Sequence, residues 1–301
     1  MSKIGKISLS LTTISVISLA LALGVFFPWG NLQALGQGES GYEENINEEK
    51  FFDLKKINAI SIGVSSAEIR IKVVTSDKIR VHLHGKSSGQ KPYLTYKESG
   101  NKLTIDIERK SRLGFSRSNL ILDIDLPKKY ENKLQLNSSS GDISIPTLVL
   151  EELSIDMSSG DLDLISLTVR NFIFDSSSGK LTANEIESSK TRLKLSSGSA
   201  EIDNFTGDLD VKMSSGDFEV KYTNFNNNIA IDSSSGDIKI TLPEDSNFEL
   251  DSETSSGKII CDYPITISGG QDRNQLKGIV GSGVNKIRLE VSSGDISILK
   301  K

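Results

Sequence analysis

One cysteine in 301 residues, Cys261, excludes an internal disulfide framework and any metal site built on paired thiolates. It also stands too far from the N-terminal hydrophobic stretch to serve as a lipid-modified anchor. Only two histidines occur, His82 and His84, far in sequence from most of the serines, so no Ser-His-Asp constellation is supported. Aromatic residues are scarce at 6%, phosphate-cradling glycine loops of the Walker kind are absent, and no cofactor is implied. Basic charge is in deficit too. The net charge is -5, and because Lys3 and Lys6 are the only charges before Glu39, the remainder carries 33 basic against 40 acidic residues. That balance offers no basic face, and nucleic acid is excluded as a partner.

What is present begins with a long uncharged stretch from Ile7 to Gly38, apolar from about Ile7 to Trp29. It is long enough to cross a bilayer and longer than a secretory h-region, so residues 1–30 read as a retained membrane anchor, with Ala20-Leu21-Ala22 leaving signal cleavage open. Lysines before it and Glu39, Glu43, Glu44, Glu48 and Glu49 after it orient the N-terminus to the cytoplasm and the rest outside. The expected location is therefore the cell membrane, single-pass, or the medium if the segment is removed. Residues 31–50 are polar and acidic and read as a flexible stalk. Residues 51–133 then show apolar residues at every second position over 59–64, 68–73, 78–84, 102–108 and 120–126, the mark of half-buried strands. Helical periodicity is absent beyond the stalk.

From residue 134 to 301 a repeat takes over, marked by Gly141, Gly160, Gly179, Gly198, Gly216, Gly236, Gly257 and Gly294. Seven of the eight recur every 18 to 21 residues, and the gap before Gly294 is about two periods, filled by a degenerate repeat or by an insertion between Ser268 and Gly283. Two residues past the glycines stand Ile143, Leu162, Leu181, Ala200, Phe218, Ile238, Ile259 and Ile296. Apolar columns also lie four residues past and five residues before. Aligned columns of this kind predict an all-β solenoid with one coil per repeat, in which stacked neighbours bury what no repeat buries alone. A propeller blade needs roughly twice the residues. The glycines are expected to turn the chain at positive φ, with flanking serines and aspartates hydrogen-bonding the backbone.

Candidate chemistry is sparse. The residue after each glycine is aspartate at Asp142, Asp161, Asp217, Asp237 and Asp295 but Lys180, Ser199 and Lys258 elsewhere. Stacked carboxylates are hard oxygen ligands suited to calcium, yet repulsion between neighbours about 4.8 Å apart in water is only about 1 kcal/mol, so solvated turn caps need no metal. His82 and His84 share one face of a strand but lack a third ligand nearby in sequence, which favours a solvent-facing strand edge. Cys261 falls in an inward column and reads as a small core residue.

The stretches Leu136-Asn137-Ser138-Ser139-Ser140-Gly141-Asp142-Ile143, Ser-Ser-Gly-Asp at 158–161, 214–217 and 234–237, and Val291-Ser292-Ser293-Gly294-Asp295-Ile296 carry a resemblance. So does Ser65-Ser66-Ala67-Glu68-Ile69, a worn first copy. From about residue 57 onward the chain resembles the bacterial putative-adhesin family with a β-strand-repeat domain of unknown function, which includes LiaG-like proteins of envelope-stress operons. The resemblance implies an envelope-associated β-solenoid and no catalytic residues. The expected function is a non-catalytic, adhesin-like binding module for cell-wall glycan or an envelope protein. Its rivals are an accessory regulator of envelope stress, a polysaccharide-cutting β-helix enzyme, and self-association by edge-to-edge stacking.

Overall fold

A computed structural model describes residues 43–88, 91–109, 118–268 and 273–301. The expected membrane anchor and the first part of the expected stalk lie outside these residues. Among the described residues no helix is long and apolar enough to cross a membrane.

In chain order the strands are β1 (Glu43–Asp53), β2 (Ala59–Val64), β3 (Ala67–Val74), β4 (Lys78–Ser88), β5 (Pro92–Ser99), β6 (Lys102–Arg109), β7 (Ser118–Pro127), β8 (Lys133–Ser138), β9 (Ile143–Met157) and β10 (Leu162–Ser215). They continue with β11 (Phe218–Tyr222), β12 (Ile229–Ser235), β13 (Ile238–Leu242), β14 (Phe248–Ser256), β15 (Ile259–Cys261), β16 (Thr266–Ile267), β17 (Gln275–Val280), β18 (Asn285–Ser293) and β19 (Ile296–Lys300). A single 3-10 turn (Leu54–Lys56) follows β1. β10 runs unbroken through several corners because each segment keeps its ladder partners while the chain bends.

All of these strands join one solenoidal sheet. Leu162, Leu167 and Phe172 of one coil lie over Ile143, Leu148 and Leu153 of the coil before, in parallel register. Each coil therefore offers three short segments whose alternate residues point inward. The columns two and four residues past the glycines are buried, except that Ile259 and Cys261 in the terminal coil are only half-buried. Towards the C-terminal end an edge-to-face aromatic chain of Phe205, Tyr222, Phe225, Phe248 and Tyr263, with centroids 5.0–6.2 Å apart, fills the interior.

Spatial order departs from chain order at both ends. β6 and β7 form the outermost parallel coil, next to β2 and β3, which in turn adjoin β8 and β9. At the far end β18 lies between β12 and β14, and β19 between β13 and β15, so the last coil in sequence is the penultimate one in space. Antiparallel strands cover the ends: β5 on β6, and β4 on β7 with β1 beyond, then β17 on β14 with β16 beyond.

Two expectations are corrected and one open alternative is decided. Residues 43–50 are strand, not stalk: β1 pairs with β4 from Glu43 to Asp53, and its polar side chains fit an edge strand that buries Ile46 and Phe52. There is no boundary at residue 134, because β2 is hydrogen-bonded in register with β8 and the solenoid already includes residues 59–74. The wide gap before Gly294 is the insertion, β16 and β17, that caps the terminal coil.

The glycine column also has a different principal cause. Five of the eight repeat glycines adopt positive φ, as at Gly216 (114°), but Gly141, Gly198 and Gly257 do not. What all eight share is contact with the next coil. A methyl group at Gly216 would sit 1.9 Å from the Gly198 carbonyl oxygen, and one at Gly257 2.0 Å from that of Gly294. No side chain fits between corners stacked so closely.

Candidate functional site

The corner is built from the serines outward. The first position of the motif points inward where it is polar: the Ser138 hydroxyl donates to the Gly141 carbonyl and accepts from the Gly141 N–H, both at 2.9 Å. Ser233 and Thr254 are buried in the same column, and Thr254 Oγ1 donates to the Gly294 carbonyl at 3.0 Å. The next two positions face solvent in every motif-bearing coil. They are Ser65–Ser66, Ser139–Ser140, Ser158–Ser159, Ser177–Ser178, Ser196–Ser197, Ser214–Ser215, Ser234–Ser235, Ser292–Ser293 and Ser255–Ser256, in spatial order. The backbone beneath them is a regular ladder, with Ser158 N–H donating to the Ser138 carbonyl at 2.9 Å and Ser159 N–H to the Ser139 carbonyl at 3.0 Å. The outcome is two parallel rows of exposed hydroxyls, repeated at the strand spacing of about 4.8 Å.

The aspartate column stitches coils together. Asp142 Oδ1 accepts the Asp161 N–H at 2.9 Å, Asp161 accepts from Lys180 at 2.8 Å, and Asp217 accepts from Asp237 at 3.0 Å. Asp237 accepts from Asp295 at 2.8 Å, and Asp295 from Lys258 at 2.9 Å. These links follow the swapped spatial order, and they explain why lysine is tolerated: Lys180 and Lys258 supply only a backbone N–H. The carboxylates bridge adjacent corners and do not converge on a common point.

One face of the stack carries a groove of about 560 Å³ lined by Lys190, Asp208, Asp210, Asn228, Lys286 and Arg288, with Ala230 as its small floor residue. The residues paired with Ala230 on either side, Asp210 and Arg288, carry larger side chains, so the alanine leaves the depression. Cys261 is half-buried and packed against the core, and burial pushes its thiol up, away from nucleophilic use.

His82 and His84 lie on β4 with their rings stacked, centroids 4.6 Å apart. His84 Nε2 is 3.0 Å from Asp123 Oδ2 of β7, the residue directly opposite His82 in the antiparallel register. Asp123 is only 7% exposed. Burial pushes its carboxyl up, but hydrogen bonds and charge from Lys72 and His84 outweigh that and hold it below the ordinary range. Desolvation, then the neighbouring His84 and Arg80, hold the His82 imidazole below its ordinary value. The sequence reading paired the two histidines but found no third ligand; Asp123 is that group. Its outward place between buried Leu122 and Ile124 was readable, but its strand register was not.

No curated protein matches the chain. Among solved structures, a putative adhesin from Bacteroides fragilis aligns at 13% identity over 84% of this chain and 97% of its own, with a TM-score of 0.48. A putative adhesin from Parabacteroides merdae aligns at 12% identity over 84% and 96%, with a TM-score of 0.44. A putative lipid binding protein from Parabacteroides distasonis aligns at 18% identity over 85% and 96%, with a TM-score of 0.37. The Toastrack DUF4097 family profile matches residues 57–299, a span that runs from β2 into β19 with its glycine corners, and the chain belongs to that family.

Proposed function

We propose that this protein is a non-catalytic binding module of the bacterial cell envelope, anchored by its N-terminal segment, that engages cell-wall glycan along the serine ribbon. The observation that carries this reading is the pair of exposed serines kept at nine stacked corners while the adjacent aspartate column varies. Turn formation uses the buried first position, the glycine and the aspartate; the Ser140 and Ser159 hydroxyls also donate to carbonyls of the adjacent coil, but the outer rows as a whole stay exposed to a ligand. Rows of small donors and acceptors at a fixed spacing match a polymer whose own hydroxyls recur along its length. Against catalysis, the aspartates are spread over five of the eight repeat corners and accept backbone N–H groups, whereas a hydrolytic site needs acids gathered at one place. The His82 and His84 ring nitrogens face Asn47, Arg80 and Asp123, not a serine hydroxyl.

The full chain, incubated with purified peptidoglycan or teichoic acid and sedimented, is expected to be retained. Replacing Ser177, Ser178, Ser196, Ser197, Ser214 and Ser215 with alanine is expected to reduce retention at least tenfold, since each lost hydrogen bond contributes about 0.5–1.5 kcal/mol and about 1.4 kcal/mol is a factor of ten. No retention on either polymer, or retention unchanged in the alanine variant, overturns the proposal.

A further inference from the structure

We propose that His82, His84 and Asp123 form a binding site for one divalent transition-metal ion of the zinc class, on the outer face of the N-terminal end sheet. The placement follows from strand geometry. Val81 and Leu83 point into the core, fully buried, so the period of two turns both imidazoles to the opposite face. Antiparallel pairing then sets Asp123 across from His82. One ligand atom from each residue lies within 4.8 Å of the others, the only such group of histidine, cysteine or acidic side chains among the described residues. Ligands around a tetrahedral zinc at about 2.0–2.1 Å stand roughly 3.4 Å apart, so rotamer shifts on the order of 1 Å close the set.

The chemistry of the donors agrees. Asp123 Oδ1 is buried, and the contact given for it is the Lys72 ammonium at 3.1 Å, a largely exposed side chain. Arg80 contributes only donors, and its guanidinium nitrogen lies 3.2 Å from His82 Nδ1, so that nitrogen presents a lone pair and the ring is neutral. His82 Nε2 sits 2.7 Å from Asn47 Oδ1, and a metal ion would replace one of these two ring contacts. Two neutral imidazoles and one carboxylate suit zinc, cobalt, nickel or copper, whereas calcium takes oxygen ligands. The surrounding cations are already matched by acids: Glu49 and Asp125 hold Arg80, and Glu68 holds Arg70. Lys72 is the cation that a metal displaces from Asp123. A bound ion would tie β4 to β7 where the end sheet leaves the stack, and its remaining coordination positions would be open to water or to a donor from a binding partner.

The test is calorimetric titration of the metal-stripped full chain with zinc chloride, with circular dichroism to confirm the strand content of each variant. One equivalent of zinc is expected, with His82→Gln and His84→Gln each weakening affinity at least tenfold. Lys72→Met, which removes the competing ammonium, is expected to tighten binding several-fold, a change that a merely structural histidine pair would not produce. Cobalt added to the unaltered chain should give the visible bands of a nitrogen- and oxygen-ligated site, a readout that needs no variant to fold. Absence of zinc binding by the folded chain, absence of cobalt bands, or stoichiometric binding that survives both glutamine substitutions overturns the proposal.

Discussion

The middle of the stack and its two ends obey different rules. In the middle, hydrogen-bond partners across coils are 19 or 20 residues apart, as between Asp142 and Asp161 or Asp217 and Asp237. At the C-terminal end they are 58 apart for Asp237 and Asp295, and 37 for Asp295 and Lys258. The corner chemistry is the same in both places. What differs is the order in which coils are laid down. A repeat specifies how one coil sits on the next, but nothing in it terminates the stack, and an open strand edge invites further pairing. Here each end is closed by antiparallel strands, and at the C-terminal end the last coil in sequence is slotted between the capped coil and β12–β13. The C-terminal coil is thereby held on both edges and cannot fray alone.

The sharpest challenge to that comparison is to remove the last coil. Truncation before Asn285 would trim one layer from a stack laid down in chain order. Because β18 and β19 stand between β12–β13 and β14–β15, truncation is instead expected to expose residues 248–280 as well, read as loss of amide-exchange protection across that whole span. Protection that persists over 248–261 would show that the terminal coil can dock directly on β12.

A smaller effect separates close stacking from backbone conformation. Gly216→Ala, with φ of 114° and a carbonyl oxygen 1.9 Å from the new methyl, is expected to cost about 3 kcal/mol or more. Gly100→Ala, at φ of 63° in a turn with open space around it, is expected to cost about 1 kcal/mol. Urea unfolding of both variants measures the difference, and equal losses would reduce the glycine column to a matter of φ alone.

The smallest effect lies at the N-terminal end. Burial, then the nearby Glu108, raises the Asp106 carboxyl above its ordinary value of 3.8, although its side chain keeps an exposed edge. A raised native value means that the folded state holds its proton more tightly than the unfolded chain, so this group lowers stability as pH rises from 3.8 through its native value. Asp106→Asn is therefore expected to raise the melting temperature slightly at pH 7, by about 1 °C after solvent screening is allowed for, and to lose that advantage below pH 3.8. A melting temperature lowered at pH 7 would contradict this.

Much of the fold was legible because solenoid physics is local. The columns through Ile143 and Ile145 could be read from period-two alternation alone, and the strands at 59–64 and 102–108 appeared where alternation predicted them. β1 was missed because an acidic edge strand, EENINEEKFFD, buries so few residues that its composition matches a linker. β5 escaped for a related reason, with only Pro92 and Leu94 buried along it. The metal-ligand cluster was half visible: adjacency on one strand is written in sequence, whereas the partner across a strand pair 39 residues away depends on register.

By itself the sequence determined the all-β repeat, the inward columns and the composition of each corner, because those features arise from contacts that recur with the period. Tertiary structure alone decided the order of the terminal coils, the capping by β1, β4, β5, β16 and β17, and the meeting of Asp123 with the histidines. These rest on pairings between distant segments. One coil's edge hydrogen-bonds equally well to any other coil of the same shape, so only the assembled stack selects which of them become neighbours.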